Sequence, residues 1–421
     1  MSYASSIRQN SLGLFILLFI LSCIELSVLE FECIHSDSLA DQVEGLSCIF
    51  IVLNNFLFII VSLLVYTIKS NKKQFIFLLV LLNILISVSF YTKNILLFFM
   101  AFEAIVIPMG LIILLWGNRN WEKVRATLLL SLFTVFSGYY FLCAIVILGV
   151  EMGTFRLEVL YHLTLGEGGR TGWVILLCFM LSFIVKLPLM PAHIWLTQAH
   201  VEAPMIGSVL LAGILLKIGG YGMIAYGYYA LPYEFNELTS FLKMLALLSM
   251  GWGSTCTCMQ TDIKRLIAYS SVAHMAMCVY PLFNQTEFMG VTCCVVGMIA
   301  HGLVSPGLFI VVGILYERKN TRNIGCQSGL NTIHPVMGMF AFVLTLCSMG
   351  VPGTLNFVGE LYLVSNVINC SNSLEQTVVL YSMILGLIYS LKFFLFTFYG
   401  TPMPSIERLE VKRNLPYITS K

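Results

Sequence analysis

The sequence predicts an all-α integral membrane protein with about 12 transmembrane helices. Of its 421 residues, 58% are hydrophobic and 10% are charged, whereas soluble domains carry roughly 25% charged residues. Its mean hydropathy is +0.90. Its apolar runs reach the roughly 20 helical residues needed to cross a hydrocarbon layer of about 30 Å. Lipid is therefore expected to surround most of the chain.

Charge and cysteine content argue against nucleic-acid and metal binding. The net charge of +2 gives no basic surface for nucleic acid. The 13 cysteines lie mostly in apolar runs, where cysteine behaves as a small hydrophobic residue. Neither Cys256-x-Cys258 nor the Cys293–Cys294 pair has the spacing of a zinc or iron–sulfur site. We expect no metal and no cofactor on this chain.

A hydropathy window of about 19 residues places twelve spans along the chain. The apolar run that follows Arg8 is too long for a secretory signal and lacks a cleavage site, so it is interpreted as the first span. The predicted spans are 12–31, 47–68, 74–91, 94–116, 124–150, 173–190, 205–230, 239–260, 264–283, 288–315, 334–368 and 376–400. The longest polar stretch, 151–172, is a loop rather than a linker between domains.

Basic residues in the connections predict the orientation of the chain. With twelve spans, sixteen of the 23 lysines and arginines fall on one side of the membrane and three, Lys93, Arg156 and Arg170, on the other. Lysine and arginine accumulate on the side from which a chain is inserted. This bias favours an even number of spans with both termini on the inner, electrically negative side.

Two proline-containing interruptions occupy similar places in the two halves of the chain. They are Lys186-Leu-Pro-Leu-Met-Pro191 and Val351-Pro-Gly-Thr354, and each lies beside a charged residue. Proline inside a membrane helix frees backbone carbonyls, which is tolerated where the break is buried in protein or lines a wet cavity. Broken helices at matching positions in two halves are typical of transporters.

Four charged side chains inside the predicted spans are the main candidate site residues: Glu103, Lys186, Lys217 and Glu360. Each costs roughly 2.5 to 3.5 kcal/mol to insert near the bilayer centre, so each needs a reason to be there. Structural alternatives exist. Glu103 could form a static ion pair, the lysines could extend to an interface, and Glu360 could stabilise a helix N-terminus.

Four histidines, His193, His200, His274 and His301, lie in or at the ends of the later spans. Taken singly, each is more often a hydrogen-bonded core residue than a proton carrier. With two lysines and two glutamates they make an alternation of acids and bases through the bilayer, along which water could carry protons. We therefore treat them as an auxiliary proton relay.

The chain from about Lys93 to Gly400 closely resembles the subunit 4 family of NADH:quinone oxidoreductase (complex I), called subunit M in bacteria. The most specific part is Val-Lys186-Leu-Pro-Leu-Met-Pro-Ala-His193-Ile-Trp-Leu, followed by Ala-His200-Val-Glu-Ala-Pro and Leu-Lys217-Ile-Gly-Gly-Tyr-Gly. Four further motifs follow the family's order: Phe102 to Pro108, Asp262 to Ser271, Met298 to Leu303 and Pro352 to Glu360.

This resemblance implies an antiporter-like fold of 14 helices, in which two five-helix units are related by an inverted repeat and each contains one broken helix. Glu103 and Lys186 would be the acid–lysine pair of the first half-channel and Lys217 the central lysine. His301 would belong to the axis that leads to the second half-channel, and Glu360 would be the terminal acid. Twelve predicted helices imply that this chain lacks one family helix at each end, places that accessory chains could fill.

On this basis residues 1–421 form a single membrane domain. It comprises N-terminal helices at 12–92, a first half-channel at 94–230, a second half-channel at 239–400 and a polar tail at 401–421.

The resemblance also implies a function, namely proton translocation driven by electron transfer from NADH to quinone elsewhere in the complex. NADH, FMN, iron–sulfur clusters and ubiquinone would bind other subunits. The expected partners are other antiporter-like and accessory subunits of complex I and lipids such as cardiolipin. The expected location is the mitochondrial inner membrane, or alternatively a bacterial plasma membrane.

Two other functions are considered. A subunit of a multisubunit sodium/proton antiporter would carry nearly the same channel residues. A structural anchor that has lost transport is disfavoured, because it would retain four costly membrane charges without a use for them.

The charge bias yields a test of topology. Protease added to sealed, right-side-out inner-membrane vesicles should leave the tail after Gly400 intact, because the tail is predicted on the inner side. Cleavage of the tail would mean an odd number of spans or the opposite orientation.

Overall fold

A computed structural model describes residues 12–13, 15–27, 39–68, 70–118, 120–157, 159, 170–284 and 287–400. Nearly all of this part of the chain is helical. Outside the helices, its backbone forms two isolated antiparallel bridges, Asn94 with Arg156 and Asp262 with Asn323. The predicted polar tail, most of the loop after 157 and the last residues of the first predicted span lie outside the described residues.

Among the described residues, seven helices form the first part of the fold. They are α1 (Phe15–Ser27), α2 (Leu39–Leu64), α3 (Lys72–Tyr91), α4 (Ile95–Trp116), α5 (Asn120–Met152), α6 (Arg170–Lys186) and α7 (Ile194–Glu202).

Seven more follow. They are α8 (Met205–Tyr229), α9 (Pro232–Met259), α10 (Ile263–Val279), α11 (Glu287–Lys319), α12 (Pro335–Ser348), α13 (Leu355–Cys370) and α14 (Ser373–Phe398). A buried 3-10 turn, Tyr280–Phe283, continues α10, and a single helical turn, Leu330–Ile333, precedes α12.

The helix breaks lie where the proline-containing motifs predict them. The first separates α6 from α7 at 187–193, and the second separates α12 from α13 at 349–354. At the second break, Gly350 and Gly353 have positive φ angles of 67° and 94°, a backbone conformation that glycine adopts at little cost. Thr354 then begins α13 by accepting a hydrogen bond from the Phe357 amide at 3.3 Å.

Among the described residues, eight helical segments are long and apolar enough to cross a membrane. They are α2, α3, α4, α5, α8, α10, α11 and α14, where α2 and α10 include the turns that follow them. Helices α1, α6 and α12 are apolar but shorter. Every predicted span overlaps a helix, and the chain is a multi-pass membrane protein. Twelve crossings remains a prediction.

Several predicted boundaries are wrong, for identifiable reasons. The span at 173–190 ends at Lys186, and α7 was not predicted, because its short sequence contains polar residues. Helix α2 begins at Leu39 rather than 47, and its polar first turns are held by an ion pair between Glu44 and Lys93. Helix α9 begins at Pro232 rather than 239, with proline in the first turn, where its missing amide costs nothing.

Helix α8 is the centre of the molecule, with 94% of its most apolar stretch buried. Two wide π-helical turns, Leu211–Leu215 and Met223–Tyr229, interrupt its α-helical hydrogen bonding. Such turns are rare and occur mostly at functional sites. Between them lies Lys217, so the irregular backbone surrounds a residue predicted from sequence to be part of the site.

Gly219 allows α8 to approach the first helix break. A Cβ atom at this position would lie 3.0 Å from the Cβ of Lys186 and 3.3 Å from the backbone nitrogen of Leu187. We predict that Gly219→Val lowers the stability of the folded protein by about 1 to 3 kcal/mol, because neither neighbour can move freely. Gly110→Val is the control, since no atom lies within 4 Å of the Cβ that it would add. Equal thermal unfolding midpoints for the two purified variants would contradict the close approach.

Candidate functional site

Glu103 and Lys186 lie close together but do not form a direct ion pair. Lys186 ends α6, is 7% exposed, and donates a hydrogen bond of 3.2 Å from Nζ to the carbonyl of Phe102. The same ammonium lies 4.1 Å from the centre of the Phe102 ring, a favourable cation–π arrangement. Glu103 is the next residue in α4, and its Oε1 atom is buried without a hydrogen-bond partner.

The space around Glu103 depends on Gly138 of α5. A Cβ atom at position 138 would lie 2.7 Å from the Glu103 carboxyl carbon. The absence of a side chain there makes room for the carboxylate beside α5. The charges of Glu103 and Lys186 interact electrostatically across the short gap between α4 and α6. The carboxylate therefore lies beside α5, near Lys186 but not hydrogen-bonded to it.

Lys217 is fully buried and joins the two halves of the molecule. Its Nζ donates to the carbonyl of Ala212 at 2.5 Å and lies 2.9 Å from Nδ1 of His301 on α11. Ala212 belongs to the first wide turn of α8, whose irregular hydrogen bonding leaves a carbonyl facing the ammonium. Gly302 of α11 maintains the approach of the two helices, because a Cβ there would lie 3.2 Å from the Lys217 side chain.

A series of neighbouring polar side chains continues from His301 toward α14. The rings of His301 and His274 have centroids 6.0 Å apart, and Nε2 of His274 lies 2.8 Å from the Tyr389 hydroxyl. A cavity of about 30 Å³ is lined by both histidines together with Asn356 and Tyr389. This volume accommodates about one or two water molecules.

A second small cavity, of about 20 Å³, leads from His274 and Asn356 to Glu360. Since these two residues line both cavities, polar groups connect Lys217 with Glu360 through His301 and His274. Thr354 caps α13, and Glu360 lies beyond its first turn. Stabilisation of the helix N-terminus therefore does not account for Glu360.

The two remaining histidines lie differently. His200 is fully buried, stacks on Phe309 with ring centroids 4.6 Å apart, and has no hydrogen-bond partner on either ring nitrogen. It interacts electrostatically with both Lys217 and Lys264. His193 lies in the first helix break, 6.1 Å from the Tyr269 ring, and its Nδ1 is also unpartnered. Among the described residues, the ring contacts place His200 against Phe309 and His193 against Tyr269, and no hydrogen bond joins either histidine to Lys217.

The structure also shows a buried charge cluster that the sequence analysis did not predict. Arg322 and Glu202 form an ion pair at 3.0 Å, with side chains 7% and 1% exposed. Lys264, 2% exposed, donates to the carbonyl of Ala203 at 2.9 Å. The sequence pattern places Lys264 and Arg322 among the sixteen basic residues on one side of the membrane and does not indicate that their side chains are buried. The available signal was Glu202 inside the Ala-His-Val-Glu-Ala-Pro motif.

Metal binding has no support in the described residues, where no three His, Cys, Asp or Glu side chains could hold an ion together.

Comparison with known proteins assigns the chain to a family. A sequence model of the NADH:quinone oxidoreductase/Mrp antiporter transmembrane family matches residues 92–387. The chain belongs to this family. The match includes all eight predicted site residues.

Known members of the NADH:quinone oxidoreductase/Mrp antiporter family resemble much of the chain. NADH-ubiquinone oxidoreductase chain 4 of Marchantia polymorpha is 35% identical over 384 residues, which cover 89% of this chain and 77% of the relative. The Metridium senile protein of the same name is 42% identical over 321 residues, covering 76% and 65%. NADH-quinone oxidoreductase subunit M of Rickettsia conorii is 34% identical over 353 residues, covering 84% and 71%.

Solved structures share the fold. A chain of respiratory complex I from Thermus thermophilus with bound NADH is 29% identical, with a TM-score of 0.79, and the match covers 86% of this chain and 76% of that one. A chain of the archaeal membrane-bound sulfane sulfur reductase has a TM-score of 0.77 at 19% identity, covering 87% and 76%. The second similarity shows the fold alone. The predicted antiporter-like fold is confirmed.

The buried charge cluster yields a prediction of stability. Glu202→Gln should cost about 3 to 5 kcal/mol, because it leaves Arg322 without its carboxylate in a buried site. Glu317→Gln, at an exposed carboxylate of α11, should have little effect. The double variant Glu202→Gln/Arg322→Gln should lose less stability than the two single variants added together. Thermal unfolding of the purified complexes measures all four, and an unchanged midpoint for Glu202→Gln would contradict the prediction.

Proposed function

We propose that this chain is a proton-translocating membrane-arm subunit of NADH:ubiquinone oxidoreductase. It moves protons across the membrane while electrons pass from NADH to quinone on other subunits. The assembled complex is therefore a translocase, and this chain contributes acids, bases and water-sized cavities rather than a redox centre.

The observation that carries this proposal is the 2.9 Å contact between Lys217 Nζ and His301 Nδ1. A lysine and a histidine that share one hydrogen bond inside a membrane protein can exchange a proton directly. Lys217 belongs to α8 and His301 to α11, so the contact joins the two predicted half-channels. The cavities beyond His301 extend the same line of polar groups to Glu360.

Glu103 and Lys186 act as the control point of the first half-channel. While the carboxylate remains near Lys186, it stabilises the charged ammonium. When a charge movement in a neighbouring subunit draws Glu103 away, Lys186 is left with the Phe102 carbonyl and ring alone. A charged lysine with so few partners in a protein interior is unfavourable, so its proton passes toward Lys217. His200 and His193 serve as auxiliary carriers on this side.

The magnitudes are compatible with pumping. Breaking a buried ion pair by removing one partner costs about 3 to 5 kcal/mol, which is the scale available when Glu103 moves from direct contact with Lys186 to a position without contact. Moving one proton against a membrane potential of about 150 to 200 mV requires about 3.5 to 4.6 kcal/mol. One switchable acid–lysine pair can therefore supply free energy comparable to that needed for one proton.

A sodium/proton antiporter subunit is the second candidate, since the matching family includes Mrp antiporters as well as NADH:quinone oxidoreductases. The relatives named NADH-ubiquinone oxidoreductase chain 4, which match 76% to 89% of the chain, favour the respiratory enzyme. Co-purification separates the two candidates. Flavin and iron–sulfur proteins should accompany the chain if it belongs to complex I, and they should be absent from an Mrp-type complex.

The remaining assignments follow from this proposal. The partners are other antiporter-like and accessory subunits of complex I, together with membrane lipids such as cardiolipin. The location is the mitochondrial inner membrane, with the bacterial plasma membrane as the alternative, and both termini face the inner side. FMN, iron–sulfur clusters and ubiquinone are held by other subunits, so the pure chain should lack visible absorbance.

Glu103→Gln is the sharpest test of this function. It retains the shape of the side chain and removes the charge that must move. The assembled enzyme should lose most proton pumping and much of its coupled quinone reduction, although this chain holds no redox centre. Glu103→Asp should retain part of the activity. Proton uptake into vesicles is followed by the fluorescence quenching of a pH-sensitive dye, and NADH oxidation is measured in the same vesicles. Normal assembly with an unchanged ratio of protons to NADH would make Glu103 a packing residue only.

A further inference from the structure

The outer end of the second half-channel is closed by a compact apolar turn. Residues Tyr280–Phe283 continue α10 as a 3-10 turn, and all four are buried. The turn contacts α9, α11 and α13. Helix α11 approaches it so closely that a Cβ at Gly290 would lie 2.6 Å from the carbonyl of Pro281. Apolar side chains of Pro281, Leu282 and Phe283 fill most of this closure.

Two hydrogen bonds between polar side chains flank the apolar turn. The Tyr280 hydroxyl donates to Oε2 of Glu375 at 2.7 Å. Asn284 Nδ2 donates to Oδ1 of Asn366 at 2.5 Å, and both asparagines are 3% exposed. Tyr280 begins the turn and Asn284 follows its last residue, so the two hydrogen bonds lie at opposite ends of one turn. We call these four side chains the polar network, and its partly exposed member is Glu375 in the first turn of α14.

The network lies directly beyond Glu360 along the same helices. Cys278 of α10 and Glu360 of α13 line the 20 Å³ cavity. Asn366 follows Glu360 by six residues on α13, a rise of about 9 Å. Tyr280 follows Cys278 by two residues. The buried Oδ1 of Asn284 has no hydrogen-bond partner, so it can accept a hydrogen bond from a water molecule.

We propose that Tyr280 and Glu375, oriented by Asn284 and Asn366, form the proton outlet of the second half-channel. This inference rests on the proposed function. A proton leaves the Glu360 carboxylic acid through water and binds the Tyr280 hydroxyl oxygen as the Tyr280 O–H proton passes to the Glu375 carboxylate. Tyr280 remains neutral overall, and Glu375 then releases the proton to water at the outer face.

The test uses the intact complex with two conservative variants. Tyr280→Phe removes only the hydroxyl, and Glu375→Gln removes only the charge. Each should slow proton release about 100-fold or more, the lower end of the range for loss of a positioned proton-transfer group. Glu375→Asp should restore part of the rate. Because the groups act in series, Tyr280→Phe/Glu375→Gln should be no slower than the slower single variant.

Matched controls lie at the corresponding end of the first half-channel. Tyr229→Phe changes a partly buried tyrosine at the end of α8, and Glu237→Gln changes an exposed glutamate early in α9. Both should pump normally. The amount of assembled complex on native gels identifies variants that fail to fold. When the Tyr280→Phe complex assembles fully, its rate of proton release decides whether the hydroxyl is part of the outlet.

Glu360→Gln separates a failure of the outlet from a failure of the proposed function. If Glu360→Gln abolishes pumping while Tyr280→Phe and Glu375→Gln pump at control rates, the outlet is wrong and the proposed function stands. If Glu360→Gln and Glu103→Gln also pump normally, the proposed function fails. Loss of pumping in Tyr280→Phe and Glu375→Gln, with partial recovery in Glu375→Asp, supports the outlet.

Discussion

The burial of the Lys217 ammonium is the constraint on which most of this structure depends. Lipid offers a charged side chain no hydrogen bonds, so the protein must provide them itself. A wide turn of α8 supplies the Ala212 carbonyl and α11 supplies His301. The contact with His301 depends on the close approach of the two helices at Gly302. The Lys217 ammonium is accommodated by the irregular backbone of α8, by the nearly complete burial of that helix and by its contact with α11.

Much of this arrangement could be predicted from the sequence, because a membrane imposes simple rules. Apolar runs must be helical, and proline breaks must be buried, so every predicted span overlaps a helix and both breaks were located correctly, although several boundaries were wrong. Charges that are expensive to insert identified Glu103, Lys186, Lys217 and Glu360 as residues requiring an explanation. Family motifs then placed them in order, and the family itself is confirmed.

The rest was not accessible because it depends on tertiary contacts. The π-helical turns of α8 leave no pattern in hydropathy. Helix α7 has only 9 residues, several of them polar, so a hydropathy window of about 19 residues does not detect it. The burial of Lys264 and Arg322 leaves no local pattern, because their carbonyl and carboxylate partners, at Ala203 and Glu202, lie on another helix end. The missing direct contact between Glu103 and Lys186 likewise depends on the exact separation of α4 and α6.

The wide turns of α8 have a mechanical consequence. A π turn contains one more residue than an α-helical turn, so it changes the angular register of all that follows by about 100°. If the first wide turn migrated along α8 by a few residues, Lys217 would swing around the helix axis while both helix ends stayed in place. Rotation of this short segment, with the neighbouring helices fixed, would let the Lys217 ammonium change its hydrogen-bond partners without any helix sliding through the membrane.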